Sequence, residues 1–242
     1  MVEGNYCPQC AQAAKTGRIT WKSFLSEGFK TLTHAEKSIF GTSWQLLIRP
    51  GKVLDEYLSG KRKKYQSPVS FFLVWVTITI LVHRMILAHS GFHPVFMEGL
   101  TFKHPESIKL FITHGEWLYL LTFPVSAAIF YFMLGRPLYT YIESIVVTMY
   151  AFSEVYLFYV LCYLIGGGLF SLNVLHWGFY LFQIIISLAY SLWTLIDLFS
   201  TKGIRYLWLR VIVYLILNLI IVLRFLEFLS DLWVNLESSG SV

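Results

Sequence analysis

SIVVTMYAFSEVYLFYVLCYLI, residues 144–165, carries one charged side chain, Glu154, in 22 consecutive positions. A run of that length and polarity matches the roughly 20 apolar residues an α-helix needs to cross a bilayer. Hydrocarbon offers the backbone no hydrogen bonds, so a segment that crosses it must be helical or part of a closed barrel, and an unbroken apolar run reads as a helix. Working outward, four further runs qualify: 69–89, 117–135, 177–197 and 207–229. The fold predicted is all-α: a polytopic membrane protein of about five transmembrane helices. Ser90-Gly91 with Pro94, Gly135-Arg136-Pro137, Gly166-Gly167-Gly168 and the stretch from Ser200 to Gly203 mark the breaks. The glycine triplet predicts a left-handed C-cap, and Pro124 predicts a kink in the second span. Trp117, Trp177, Trp193, Trp208 and Trp233 lie near the predicted span ends, as an aromatic belt requires.

Composition agrees. Of 242 residues, 56% are hydrophobic, 18% aromatic and 14% charged, against roughly a quarter charged in a soluble domain. A soluble fold would lack a polar shell. The net charge of +5 is not spread as a nucleic-acid surface would be, because 11 of the 19 basic residues precede residue 69. Arg136, Lys202 and Arg205 fall on the same side as these, whereas the opposite loops hold only Lys103 and Lys109. The positive-inside rule then puts the N-terminus in the cytoplasm and, after five crossings, the C-terminus outside.

The predicted organisation is a cysteine-containing segment (1–18), an amphipathic basic region (19–68), the five-span bundle (69–229) and an external tail (230–242). Within the second of these, Trp21, Phe24, Leu25, Phe29 and Leu32 share a helical face, apart from Lys22, Glu27 and Lys30. Phe40, Trp44, Leu47 and Ile48 suggest a second short helix. Pro50 opens a third as a good N1 residue, with Val53, Leu54, Tyr57 and Leu58 apolar and Gly60 at its end. These are expected to be interfacial helices. Lys61, Arg62, Lys63 and Lys64 follow, placed to contact anionic headgroups at roughly 1 kcal/mol per charge.

Several of these residues form a set: Cys7-Pro8-Gln9-Cys10, Arg18-Ile19-Thr20, Arg49-Pro50-Gly51-Lys52-Val53, Glu56-Tyr57-Leu58, Gly60-Lys61-Arg62-Lys63-Lys64-Tyr65, then Pro68. The set resembles the DUF3667 family of bacterial membrane proteins over residues 7 to about 75. The resemblance implies a bacterial inner-membrane protein whose cysteine pair is part of a zinc ribbon, and it implies no reaction. With one pair only, Cys7 and Cys10 admit three readings: half of a zinc site completed by His34 or a second subunit, a knuckle without metal, or a redox pair. Zinc needs four ligands, and Cys162 sits in a span.

Among intramembrane polar groups, Glu154 is the costliest, a charge near the bilayer centre being worth about 2.5–3.5 kcal/mol against insertion. Candidate partners by depth are Asn218, Arg84 and Arg224. Asp197 and Arg210 are expected to pair near the inner ends of adjacent helices, and Arg224 with Glu227 at i, i+3. His83, His89, His93, His104, His114 and His176 cluster toward the outside, where they form no dense ligand motif. No nucleophile and base share a depth, so an intramembrane enzyme is the weakest of three functional classes. The others are a channel or transport component for a small solute, ion or lipid, and a scaffold that recruits a cytoplasmic partner. Five spans without an internal repeat suggest that a transporting unit is a homo-oligomer.

Overall fold

The computed structural model describes residues 17–24, 26, 39–89, 120–136, 138–169 and 177–239. Cys7, Cys10, His34, His93, His104, His114 and His176, with the side chains of His83 and His89, lie outside the described residues. All regular structure among the described residues is helical. The elements are α1 (Ile39–Ile48), α2 (Pro50–Leu58), a 3-10 turn at Arg62–Lys64 and α3 (Pro68–His89). Then come α4 (Leu120–Gly135), α5 (Tyr141–Tyr163), α6 (Trp177–Phe199) and α7 (Leu207–Ser238). Four stretches are long and apolar enough to cross a membrane: Arg62–Val82, Tyr141–Gly166, Leu181–Lys202 and Leu207–Leu236. The shorter apolar α4 joins them, and the chain is a polytopic helical membrane protein of about five spans.

Local chemistry sets where the helices start. Pro68 stands at the head of α3, where its missing N–H costs nothing. α5 begins three residues before its apolar run because Thr140 and Glu143 form a reciprocal capping box: Thr140 N donates to Glu143 Oε2 at 2.8 Å and Glu143 N to Thr140 Oγ1 at 3.3 Å. The expected stop at the glycine triplet differs from what is found. The backbone runs on through a wide π-type stretch, Leu164–Leu169. A second such stretch, Tyr131–Gly135, closes α4. α7 also continues past residue 229 to Ser238, and at 32 residues it is about 48 Å long against a hydrocarbon slab of about 30 Å.

The bundle is built on α3 and α5, which run parallel and interlock through aromatic rings: Phe71 on Tyr150 at 5.6 Å and Phe72 on Tyr156 at 6.0 Å. α6 packs antiparallel on α5, with Phe158 on Tyr190 at 5.2 Å. α7 meets α4 and α6 near Phe130, whose ring lies 5.9 Å from Tyr214 and 6.1 Å from Phe199. Its remaining face presents Leu209, Ile212, Ile216 and Ile220 outward, as a lipid-facing helix does.

The two short helices do not stand apart from this bundle. α2 buries Val53, Leu54 and Tyr57, each worth about 1.5–3 kcal/mol for a fully buried side chain, and Tyr57 packs on Tyr150 at 5.5 Å. α1 buries Leu46 but leaves Phe40 and Trp44 77% and 64% exposed. The amphipathic faces read from the sequence are thus used differently: that of α2 goes into the protein, and part of that of α1 remains for the bilayer.

Candidate functional site

The region around α2 is held by three polar contacts that explain its sequence. Arg49, at the N-cap of α2, provides no side-chain cap. The missing acceptor comes from across the bundle: Asp197 Oδ2, near the end of α6, accepts the Gly51 N–H at 2.8 Å. A carboxylate at a helix N-terminus satisfies an open donor and the positive end of the dipole together. Only glycine permits the approach, since a Cβ at position 51 would lie 2.3 Å from Leu198 N and 2.4 Å from the Asp197 carbonyl carbon. Asp197 therefore does not take Arg210 as expected. The open N–H groups of α2 are already against it, and Arg210 is exposed. Lys202 Nζ pairs with Asp55 Oδ1 beside this contact.

Glu56 organises the basic run. Its carboxylate accepts from Tyr65 Oη at 2.6 Å, Lys64 Nζ at 2.8 Å and Lys61 Nζ at 3.4 Å. The hydrogen bond from Lys64, then that from Tyr65, lowers its pKa to about 2. Arg62 Nη2 donates to Gly17 O at 2.9 Å, and Lys63 is exposed. Of the four residues expected at headgroups, Lys61 and Lys64 thus also serve an internal carboxylate.

Glu154 is 0% exposed, and neither carboxylate oxygen has a hydrogen-bond partner among the described residues. Its surroundings follow from helix register. Phe71 and Tyr150 touch, so one turn along these parallel helices stand Trp75 and Glu154. Phe158 and Tyr190 touch across the antiparallel pair, so one turn toward the α2 end stand Glu154 and Thr194. From α1, Ser43 faces the carboxylate without reaching hydrogen-bond geometry. Phe40, one turn before Ser43, packs on Trp75 at 6.5 Å, which closes the ring of neighbours. Tyr190 lies within electrostatic reach of Glu154 and near Thr194, and its hydroxyl donates to Leu46 O at 3.4 Å.

The register also corrects the depth. Trp75 is seven residues, about 10 Å, above the start of α3, and Thr194 five residues, about 8 Å, from the end of α6. Glu154 is therefore level with the α1–α2 ends of α3 and α6, although it stands midway along α5, because α5 starts below them.

Asn218, Arg84 and Arg224 are not hydrogen-bonded to Glu154, neither of whose oxygens has a partner. Arg224 takes Glu227 instead, Nη1 to Oε2 at 2.8 Å, with its side chain 77% exposed, the i, i+3 pair expected. Arg84 is exposed. Asn218 is half-buried on α7 with its Oδ1 lacking a hydrogen-bond partner. Ser43, Trp75, Tyr190 and Thr194 were not singled out from sequence. The available signals were a hydroxyl inside the apolar α1 and the i, i+4 pair Tyr190/Thr194 on one face of a span. Among the described residues no group of three or more His, Cys, Asp or Glu is arranged for a metal ion.

Fold and site together define a polytopic helical membrane protein with a sealed intramembrane carboxylate. The sequence model of the DUF3667 family, described as proteins of unknown function, matches residues 36–80, which take in α1, α2, the basic turn and the first half of α3. No curated protein and no solved structure matches the chain.

Proposed function

We propose that this chain is a transport component of a bacterial inner membrane, its N-terminal region cytoplasmic, in which Glu154 binds a small cation or proton that is carried or drives carriage. The observation that carries the reading is the carboxylate itself. A buried carboxylate with no donor is one of the most expensive groups a protein can keep, and in a span such a group marks an ion or proton path. A purely structural glutamate would be expected to hold a hydrogen bond between helices, and Glu154 holds none. The scaffold alternative leans on the basic run as a recruiting surface, and the engagement of Lys61 and Lys64 by Glu56 weakens it. Lys63 and the exposed Phe40 and Trp44 remain suited to an anionic bilayer surface.

The test is flux in proteoliposomes. Wild type should show a pH-dependent flux, and Glu154→Gln, which preserves shape, should fold and abolish it. Equal flux in both proteins from acid to neutral pH would end the transport role of this residue.

A further inference from the structure

Resting on that reading, we propose that the guest of Glu154 is a proton shared with one or two water molecules in a pocket walled by Ser43, Trp75 and Thr194, and not a metal ion. Four helices contribute one residue each: Ser43 from α1, Trp75 from α3, Glu154 from α5 and Thr194 from α6. All are at most 4% exposed. In each, the polar atom (Ser43 Oγ, Trp75 Nε1, both Glu154 oxygens, Thr194 Oγ1) is buried with no hydrogen-bond partner among the described residues. Isolated orphans of this kind are rare in folded proteins, and here four side chains are gathered at one level.

The donor set selects the guest. Indole Nε1–H can only donate, hydroxyls donate and accept, and a carboxylate only accepts. A hard cation stripped of water asks for about six or more oxygen lone pairs, and an N–H pointed into that shell opposes it. Among the described residues Glu154 belongs to no group of three or more His, Cys, Asp or Glu that could ligate a metal ion. A carboxylic acid with a water fits all four groups. The acid O–H donates to a water, which accepts from Trp75 as well, and water bridges Ser43 and Thr194 to the second carboxyl oxygen. A buried water needs two to four polar partners, and the unpartnered atoms of Ser43, Trp75, Glu154 and Thr194 are enough to supply them.

Among the described residues no charged side chain bonds to either oxygen of Glu154. The titratable groups packed around it are tyrosines: Tyr190 from α6, donating to Leu46 O, and Tyr150 on its own helix, donating to Gln66 O. Tyr57 of α2 packs on the Tyr150 ring. Trp75 of α3 and Ser43 of α1 do not titrate. The protonation of Glu154 is therefore free of ion-pair competition.

Infrared difference spectroscopy on the full chain in lipid, titrated in potassium, sodium or lithium buffers, tests this. A protonated carboxyl C=O band should be present, vanish in Glu154→Gln, and shift in Trp75→Phe and in Thr194→Val while both variants keep the wild-type melting temperature. Its titration midpoint should be the same in all three salts. A midpoint displaced by sodium or lithium, a band unmoved by both pocket variants, or no such band at any pH would overturn the proposal. The reading it rests on fails separately: a band that behaves as stated, with flux unchanged in Glu154→Gln, keeps the proton site and removes transport.

Discussion

Replacing Gly51 with alanine tests how α2 is held. The new Cβ would meet Leu198 N at 2.3 Å and the Asp197 carbonyl carbon at 2.4 Å, where ordinary contact begins at 3.4 Å. Both obstacles are backbone in the last turn of the packed α6, so α2 must retreat by more than an ångström. That retreat carries the 2.8 Å bond from Gly51 N to Asp197 Oδ2 out of range. Overpacking costs about 1–3 kcal/mol, and a hydrogen bond to a charged group about 1.5–3 kcal/mol. Because the retreat relieves the clash by breaking the bond, the two do not simply add, and a loss of about 3 kcal/mol in docking is expected. That corresponds to about a hundredfold more of the undocked hairpin. Val53, 2% exposed on the docked face of α2, gives the assay. With Cys7, Cys10 and Cys162 replaced by serine, the labelling rate of Val53→Cys by a membrane-impermeant thiol reagent reports undocking. Gly51→Ala should accelerate it by about two orders of magnitude, and Asp197→Asn, which keeps an oxygen acceptor, by less. An unchanged rate in Gly51→Ala would refute the account of this contact.

Glu56 should confer a local pH dependence. Its pKa is depressed from 4.5 to about 2, so the stability contributed by its bonds is fully present above 4.5 and is lost as pH falls toward 2. Cleavage after Lys61–Lys64 by an acid-stable protease should rise over that window in wild type and be pH-independent in Glu56→Gln. The cysteine pair makes a compositional prediction: purified protein should contain zinc that disappears when Cys7 and Cys10 are both changed to serine. Half an equivalent per chain would indicate a site shared by two subunits, and metal-free wild-type protein would remove the zinc reading.

The spans were readable because each is a long local run, and so were the features set by near neighbours in sequence: Pro50 at the head of α2 and the Arg224–Glu227 pair. Thr140-x-x-Glu143 is a capping box in plain sequence, and hydropathy alone passed over it. Glu154 could be recognised as costly from its position in an apolar run. Its neighbours could not, because Ser43 and Thr194 reach it through packing between segments that no local pattern connects. Arg224 takes Glu227, one turn away on the same helix, because that bond has little ordering cost. Asp197 was read against the next helix in the chain, whereas the stronger attraction is the open end of a helix 146 residues earlier.

That separation also has a bearing on biogenesis. Gly51 meets Asp197 across 146 residues, and Tyr190 meets Leu46 across 144. At about 5–20 residues per second, the ribosome needs roughly 7–30 s to deliver α6 after α1 and α2 have emerged. For that interval Gly51 and Leu46 lack the α6 groups that bond to them, although Tyr57 can already meet Tyr150 of α5. Ser43 of α1 and Thr194 of α6, both buried with Glu154, likewise come from opposite ends of the described chain, so the surroundings of the carboxylate are complete only once α6 has been delivered and α1 and α2 have docked on it.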